Sequence, residues 1–153
     1  MQYKLVEKQS VVQKGQLGVF ADENILPDTI IMTLEGTTQP FSPFSLSEKQ
    51  FRISIADVFI PTGLGANIND NVDYRQLTYD ETAQFFTKKV IPRMEVPHNC
   101  VLEIDSTIKI KSTGELIQSG SELVLDYGTH NWVSRFISDR LIDYSFQVDY
   151  AKV

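Results

Sequence analysis

This chain is short of the residues that make ready-built sites. It has one cysteine, Cys100, and two histidines, His98 and His130. An intrachain disulfide is excluded, and so is a structural zinc site built from cysteines. No metal site is expected. His98-Asn99-Cys100 is too compact to set a nucleophile against its base, and the run reads as incidental. The stretch Gly15 to Ala21 is too poor in glycine for a phosphate loop, and no Gly-Lys-Ser/Thr occurs. Positive charge is in deficit: 14 Lys and Arg stand against 20 Asp and Glu, a net charge of −6. That disfavours nucleic-acid binding through a general basic surface and suits a basic partner. No apolar run reaches the ~18 residues that span a bilayer, and the N-terminus lacks a signal-peptide pattern. The expected location is intracellular, cytoplasmic or nuclear, with no membrane partner.

What remains is an ordinary globular composition, 42% hydrophobic and 22% charged, over 153 residues. One domain, residues 1–153, is expected. Lys4 to Val12 reads as a first strand and lead-in. Gly15-Gln16-Leu17-Gly18-Val19-Phe20-Ala21 is a glycine-bracketed turn opening into an apolar strand. Thr29 to Glu35 is β-rich and closes at Gly36. Thr37 to Ser47 holds Pro40 and Pro43 and reads as an irregular loop. Phe51 to Ile55 alternates as a strand with one buried face, and Pro61-Thr62-Gly63-Leu64-Gly65 is a turn cluster.

Ala66-Asn67-Ile68-Asn69-Asp70-Asn71 crowds hydrogen-bonding side chains into a short loop. Its plain reading is a set of Asx-turns. Thr78 and Glu81 have capping-box spacing, so a helix is expected over 79–90, stopped by Pro92. Val101 to Ile104 and Thr107 to Lys111 are further strands. Glu122-Leu123-Val124-Leu125-Asp126 reads as a short alternating strand running into a turn at Tyr127-Gly128. Val133, Phe136, Ile137, Leu141 and Tyr144 suit an amphipathic helix over 132–146. Many short strands, two modest helices and frequent turns argue for a mainly β domain.

Four pieces, in this order, resemble a known family, the SET domains. Gly18-Val19-Phe20-Ala21, a polar connection and Thr29-Ile30-Ile31 look like the family's opening Gly-x-Gly-Val-Phe-Ala segment. Phe51 to Ile55 and then Pro61 to Ala66 look like the strand and glycine turn before its Asn-His-Ser motif. Asn69-Asp70-Asn71 falls where that motif would be. Gly120-Ser121-Glu122-Leu123-Val124-Leu125-Asp126-Tyr127-Gly128 is similar to its closing Gly-x-Glu-Leu and Asp-Tyr-Gly. Trp132 with Ser134-Arg135 resembles the segment after Tyr-Gly in compact members. The resemblance covers about residues 10–135. It departs from the family at Gln16, where the first glycine would stand, and at Asp70 and Asn71. His98 to Glu103 looks like the continuation of the motif, so Val72 to Pro97 reads as an insertion. The cysteine-rich zinc segment is absent.

The resemblance implies a SET-type (β-clip) fold of several small sheets, with one inserted helix and a C-terminal helix. It implies S-adenosylmethionine as cofactor and transfer of its methyl group to a lysine of a basic, histone-like protein tail. Tyr127 would be the catalytic residue, with its hydroxyl near the methyl and the amine. Leu125 and Tyr127 would line the lysine channel. Gln16, Leu17 and Gly18 would meet the methionine end of the cofactor. Asn69 and the backbone of Asp70 would bond its amino group or adenine, and Trp132 would stack beside the adenine. The alternative is a SET-fold protein without catalysis, acting as an interaction module.

Overall fold

The computed structural model describes residues 2–42, 50–54, 56–72, 84, 95–128 and 131. Apart from residue 84, which is helical, the expected helix over 79–90 lies outside the described residues, as do the expected helix over 132–146, most of the insertion 72–97, and Trp132. The chain falls into two compact units: Met1–Glu35 with Thr62–Asp126, and Gly36–Pro61 with the chain from Tyr127 onward. Its described part is mainly β, in several small sheets.

The first unit holds two sheets. Strands β1 (Leu5–Gln9) and β2 (Leu17–Ala21) form an antiparallel ribbon, with Val6 opposite Phe20. Strands β3 (Ile30–Thr33), β7 (Cys100–Ile104), β8 (Ile108–Ser112) and β9 (Leu125–Asp126) form the other, in the order β3-β8-β7-β9. β8 reads Ile-Lys-Ile-Lys-Ser. Its Ile108, Ile110 and Ser112 are buried while the two lysines stay half out, as a period-2 pattern on a one-sided sheet requires. A 3-10 helix, Gly63–Asn67, turns the chain toward Asn69. Gly65 is needed there by close approach, because a Cβ would overlap the Leu34 side chain.

The closing segment departs from the sequence reading. It was expected to be one alternating strand from Glu122 to Asp126, but the strand proper is only Leu125–Asp126. Leu123, Val124 and Leu125 are all fully buried, so neither face alternates to solvent. The reason is a change of partner at nearly every residue. Glu122 bridges Phe20, and the Leu123 amide donates to the Val19 carbonyl at 2.7 Å. Val124 accepts from the amides of Asn99 and Cys100, both at 3.1 Å, and bridges Asn69. Leu125 pairs with Cys100 in parallel. The segment is threaded between β2 and β7 and cannot be continuous with either.

The second unit holds all but the first residue of β4 (Glu35–Pro40), all of β5 (Phe51–Arg52) and all but the last residue of β6 (Asp57–Thr62), in the order β4-β6-β5. Two sequence expectations change here. Residues 37–40, read as loop, belong to β4. That strand lies at the sheet edge and all six of its residues are exposed, so its polar run carries no hydrophobic period. β6 went unread because Pro61 looked like a turn residue. β5 pairs only Phe51 with Phe59 and Arg52 with Val58, so no ladder bond to β5 is asked of Pro61. β5 is also shorter than expected, since the amides of Ile53 and Ser54 turn back to the Asp57 carbonyl.

Cys100 opens β7 with no exposed surface. Burial pushes its thiol up to about 12, only partly offset by a bond with the Val124 backbone. The thiol should therefore ignore a thiol-specific reagent until the chain unfolds. The pH consequence has a definite sign. Below about pH 9 both states keep the proton. Above it the unfolded chain loses the proton and the folded chain does not, so stability falls by about 1.4 kcal/mol per pH unit up to about 12. Denaturant unfolding of wild type and Cys100→Ala between about pH 8 and 10.5 should show wild type losing more stability than the variant. Parallel losses in both would show that the thiol is not desolvated.

Candidate functional site

The sequence-nominated residues Gln16, Leu17, Gly18, Asn69, Asp70 and Leu125 all fall in the first unit. Three of their segments are joined directly. Asn69 Nδ2 donates to the Leu17 carbonyl at 3.0 Å, across 52 positions of sequence. The Asn69 carbonyl accepts the Leu125 amide at 2.9 Å. Asn69 is 3% exposed, so these bonds are sheltered from water and hold the turn before β2 against the strand that ends at Asp126. Leu125 is itself fully buried.

A second layer of polar cross-links fixes this arrangement. Gln13 Nε2 donates to the carbonyls of Asp70 at 3.1 Å and Val72 at 2.5 Å. Glu122, 7% exposed, accepts the Ser10 hydroxyl at 2.7 Å and the Val11 amide at 2.8 Å. Gly18 is required beside it, because a Cβ there would overlap the Glu122 carboxylate. Asn99 reads the threaded segment on both of its amide atoms. Its Oδ1 accepts the Val124 amide at 2.7 Å and its Nδ2 donates to the Glu122 carbonyl at 2.8 Å.

His98, which reads from sequence as incidental, makes a hydrogen bond through one ring nitrogen and turns the other toward Asp126. Nε2 meets Asp70 Oδ1 at 2.6 Å, and Nδ1 faces Asp126 Oδ2 at 4.0 Å. A carboxylate only accepts, so Nε2 carries the proton in the shorter contact. The Asp70 side chain has no exposed surface, while that of Asp126 is 40% exposed. These three side chains offer ligand atoms within 4.8 Å of one another, and the His98–Asp70 hydrogen bond brings two of them together.

Tyr127 belongs to the second unit. Its ring meets Phe51 edge to face, with centroids 4.7 Å apart and planes at 73°. Phe51 is 1% exposed and so supplies a fixed wall. Behind Tyr127, Gly128 has φ 86°, left-handed backbone that glycine adopts without a Cβ penalty and that suits the turn expected there. In the same unit Asn131 Oδ1 accepts the Arg52 amide at 3.3 Å. Gln13, Glu122 and Asn99 were missed as site-building residues. Glu122 and Asn99 were visible as motif letters, but their partners lie 111 and 25 positions away and leave no local signal.

No family model matches the chain, and no curated protein matches it in sequence. Solved structures do. The methyltransferase domain of human PR domain-containing protein 2 superposes with a TM-score of 0.53 at 14% identity, covering 82% of this chain and 78% of that one. A putative histone methyltransferase of Plasmodium falciparum superposes with a TM-score of 0.53 at 20% identity, covering 86% of this chain and 98% of that one. At such identities it is the backbone path that is shared. The chain has the SET-type fold of methyltransferase domains.

Proposed function

We propose that this protein is an S-adenosylmethionine-dependent protein-lysine methyltransferase acting on a basic, histone-like tail. The observation that carries the reading is the bond from Asn69 to the Leu17 carbonyl, with Leu125 bonded to Asn69 in turn. It joins the two segments nominated for the cofactor to the strand leading into Asp126-Tyr127. Their chemistry also suits the cofactor: each backbone carbonyl here keeps a second lone pair beside the bond already described, and such acceptors suit an ammonium.

When bound, the cofactor supplies an electrophilic methyl on a positive sulfur. The chain's own task is alignment. A neutral lysine amine must face that methyl in line with the sulfur, which can remove ~7–11 kcal/mol of barrier without a strong acid or base. Free lysine has a pKa of about 10.4, so a dry channel beside positive charge favours the neutral amine that reacts. In this reading Tyr127, braced by Phe51, holds its hydroxyl at the meeting point of methyl and amine. Leu125 and Tyr127 line the channel, and Trp132 stacks beside the adenine.

Two observations favour the interaction-module reading. The Asp70 carbonyl, nominated for the cofactor, already receives Gln13 Nε2, and Gln16 stands where the family has glycine. Thermal shift separates the two. A ligand that binds only the native state raises the melting temperature, by about 2.7 kcal/mol of stability at a hundred times its Kd. S-adenosylmethionine or its demethylated product should stabilise wild type, and Asn69→Ala should lose most of that shift. No shift in wild type at about millimolar cofactor would overturn the enzyme reading and leave the module.

A further inference from the structure

We infer that His98 is a positioning residue for the cofactor turn, holding Asp70, and through it Asn69, in place; this rests on the reading just proposed. The Asn69-Asp70-Asn71 turn carries three loads at once. Asn69 bonds Leu17 and Leu125, and Asn71 Nδ2 donates to the Val96 carbonyl at 2.8 Å. Asp70 lies between them, its side chain fully buried. A buried carboxylate without matched donors is costly, and the turn would shift to hydrate it. The Asn71 amide and His98 Nε2 both supply Asp70 Oδ1 with a bond at 2.6 Å.

The histidine is well placed for this. It directly precedes Asn99, whose side chain grips the threaded segment on two atoms, so the ring is anchored by backbone that has little freedom. It also looks both ways. Its Nδ1 side faces Asp126, the residue just before Tyr127. One side chain, only 20% exposed, therefore sits between the turn nominated for the cofactor and the end of the strand nominated for chemistry. The chain has aspartate in that turn where the family has histidine, and a histidine arrives on that aspartate from 28 positions away.

The test uses His98→Ala, His98→Gln and wild type, with two readouts. The first is amide hydrogen exchange at Leu125, whose N–H reports the Asn69 carbonyl directly. The second is calorimetric affinity for S-adenosylhomocysteine. His98→Ala should speed exchange at Leu125 and weaken binding by at least about tenfold, or about 1.4 kcal/mol. Amides of β8 should keep their protection. His98→Gln should recover most of both effects, since its amide can still donate to Asp70. Equal affinity in wild type and His98→Ala would overturn the inference and leave the proposed function standing. So would exchange that rises equally in β8, or a loss that glutamine does not restore, because a merely structural histidine gives those results. No binding by wild type would instead overturn the proposed function, and exchange at Leu125 then decides alone whether His98 holds the turn.

Discussion

Tyr127→Phe is expected to lower methyl transfer to a lysine-bearing basic protein by at least about a hundredfold, about 2.7 kcal/mol of transition-state stabilisation. The fold should survive. The phenylalanine ring keeps the edge-to-face contact with Phe51 at 4.7 Å, and the left-handed backbone at Gly128 is unaffected. Loss of one hydroxyl bond costs about 1 kcal/mol, a small shift in melting temperature. Cofactor affinity should change little, because in the proposed reading the hydroxyl acts where methyl and amine meet. The measurement is radiolabelled methyl transfer to a mixture of basic proteins, wild type beside variant, with a thermal melt of each. Equal transfer by both would remove Tyr127 from the chemistry. A variant that no longer melts cooperatively would place the tyrosine among the structural residues.

How much of this was legible in the sequence depends on how local its cause is. β8 was readable because alternating isoleucine and lysine is a cause confined to five residues. β4 was not, because an edge strand exposed along its whole length leaves no apolar period. β6 hid behind Pro61, which reads in sequence as a turn residue but lies beyond the two β5 pairs. The threaded stretch misled in the other direction. Three consecutive fully buried residues look like half of an alternating strand only until their partners are known.

The site divides along the same line. Gln16 to Gly18, Asn69 and Leu125 could be nominated from ordered motif pieces, and the bonds Asn69–Leu17 and Asn69–Leu125 bring three of those pieces together. The residues that hold them there act across the fold. Gln13 reaches Asp70 over 57 positions, and Glu122 reaches Val11 over 111. Nothing in the neighbourhood of either residue announces such a partner. His98 has no useful geometry toward Cys100 next door, and its partner is Asp70 on the far side of the insertion.

Glu122→Ala is expected to be strongly destabilising. The carboxylate accepts the Ser10 hydroxyl on Oε2, and the amides of Val11 at 2.8 Å and Val12 at 3.4 Å on Oε1. Bonds to a charged acceptor are worth about 1.5–3 kcal/mol each, and a buried donor left without an acceptor adds its own desolvation cost. Val11 is 61% exposed, so water can replace the carboxylate at its amide, and the Val12 amide keeps the Ser10 hydroxyl oxygen at 3.2 Å, but the Ser10 hydroxyl, on a residue 5% exposed, loses its acceptor. The expected loss is therefore about 3–5 kcal/mol, or a fall in melting temperature on the order of 10 °C for a chain this size. Glu122→Gln should cost less, about 1–2 kcal/mol, since one amide oxygen still accepts while the NH2 faces a donor. Gly18→Ala attacks the same contact from the other side, because its new methyl would meet the carboxylate and Ser10. It should destabilise in wild type and much less in a Glu122→Ala background, where the space is open, and that non-additivity is the signature of a shared contact. Denaturant unfolding of the four proteins measures it. A Glu122→Ala loss under about 1 kcal/mol would show that the Ser10 to Val12 loop is held by something else. The consequence reaches the site through Gln13, which follows that loop and donates to Asp70 and Val72, so loosening Ser10 to Val12 frees the Asn69 turn as well.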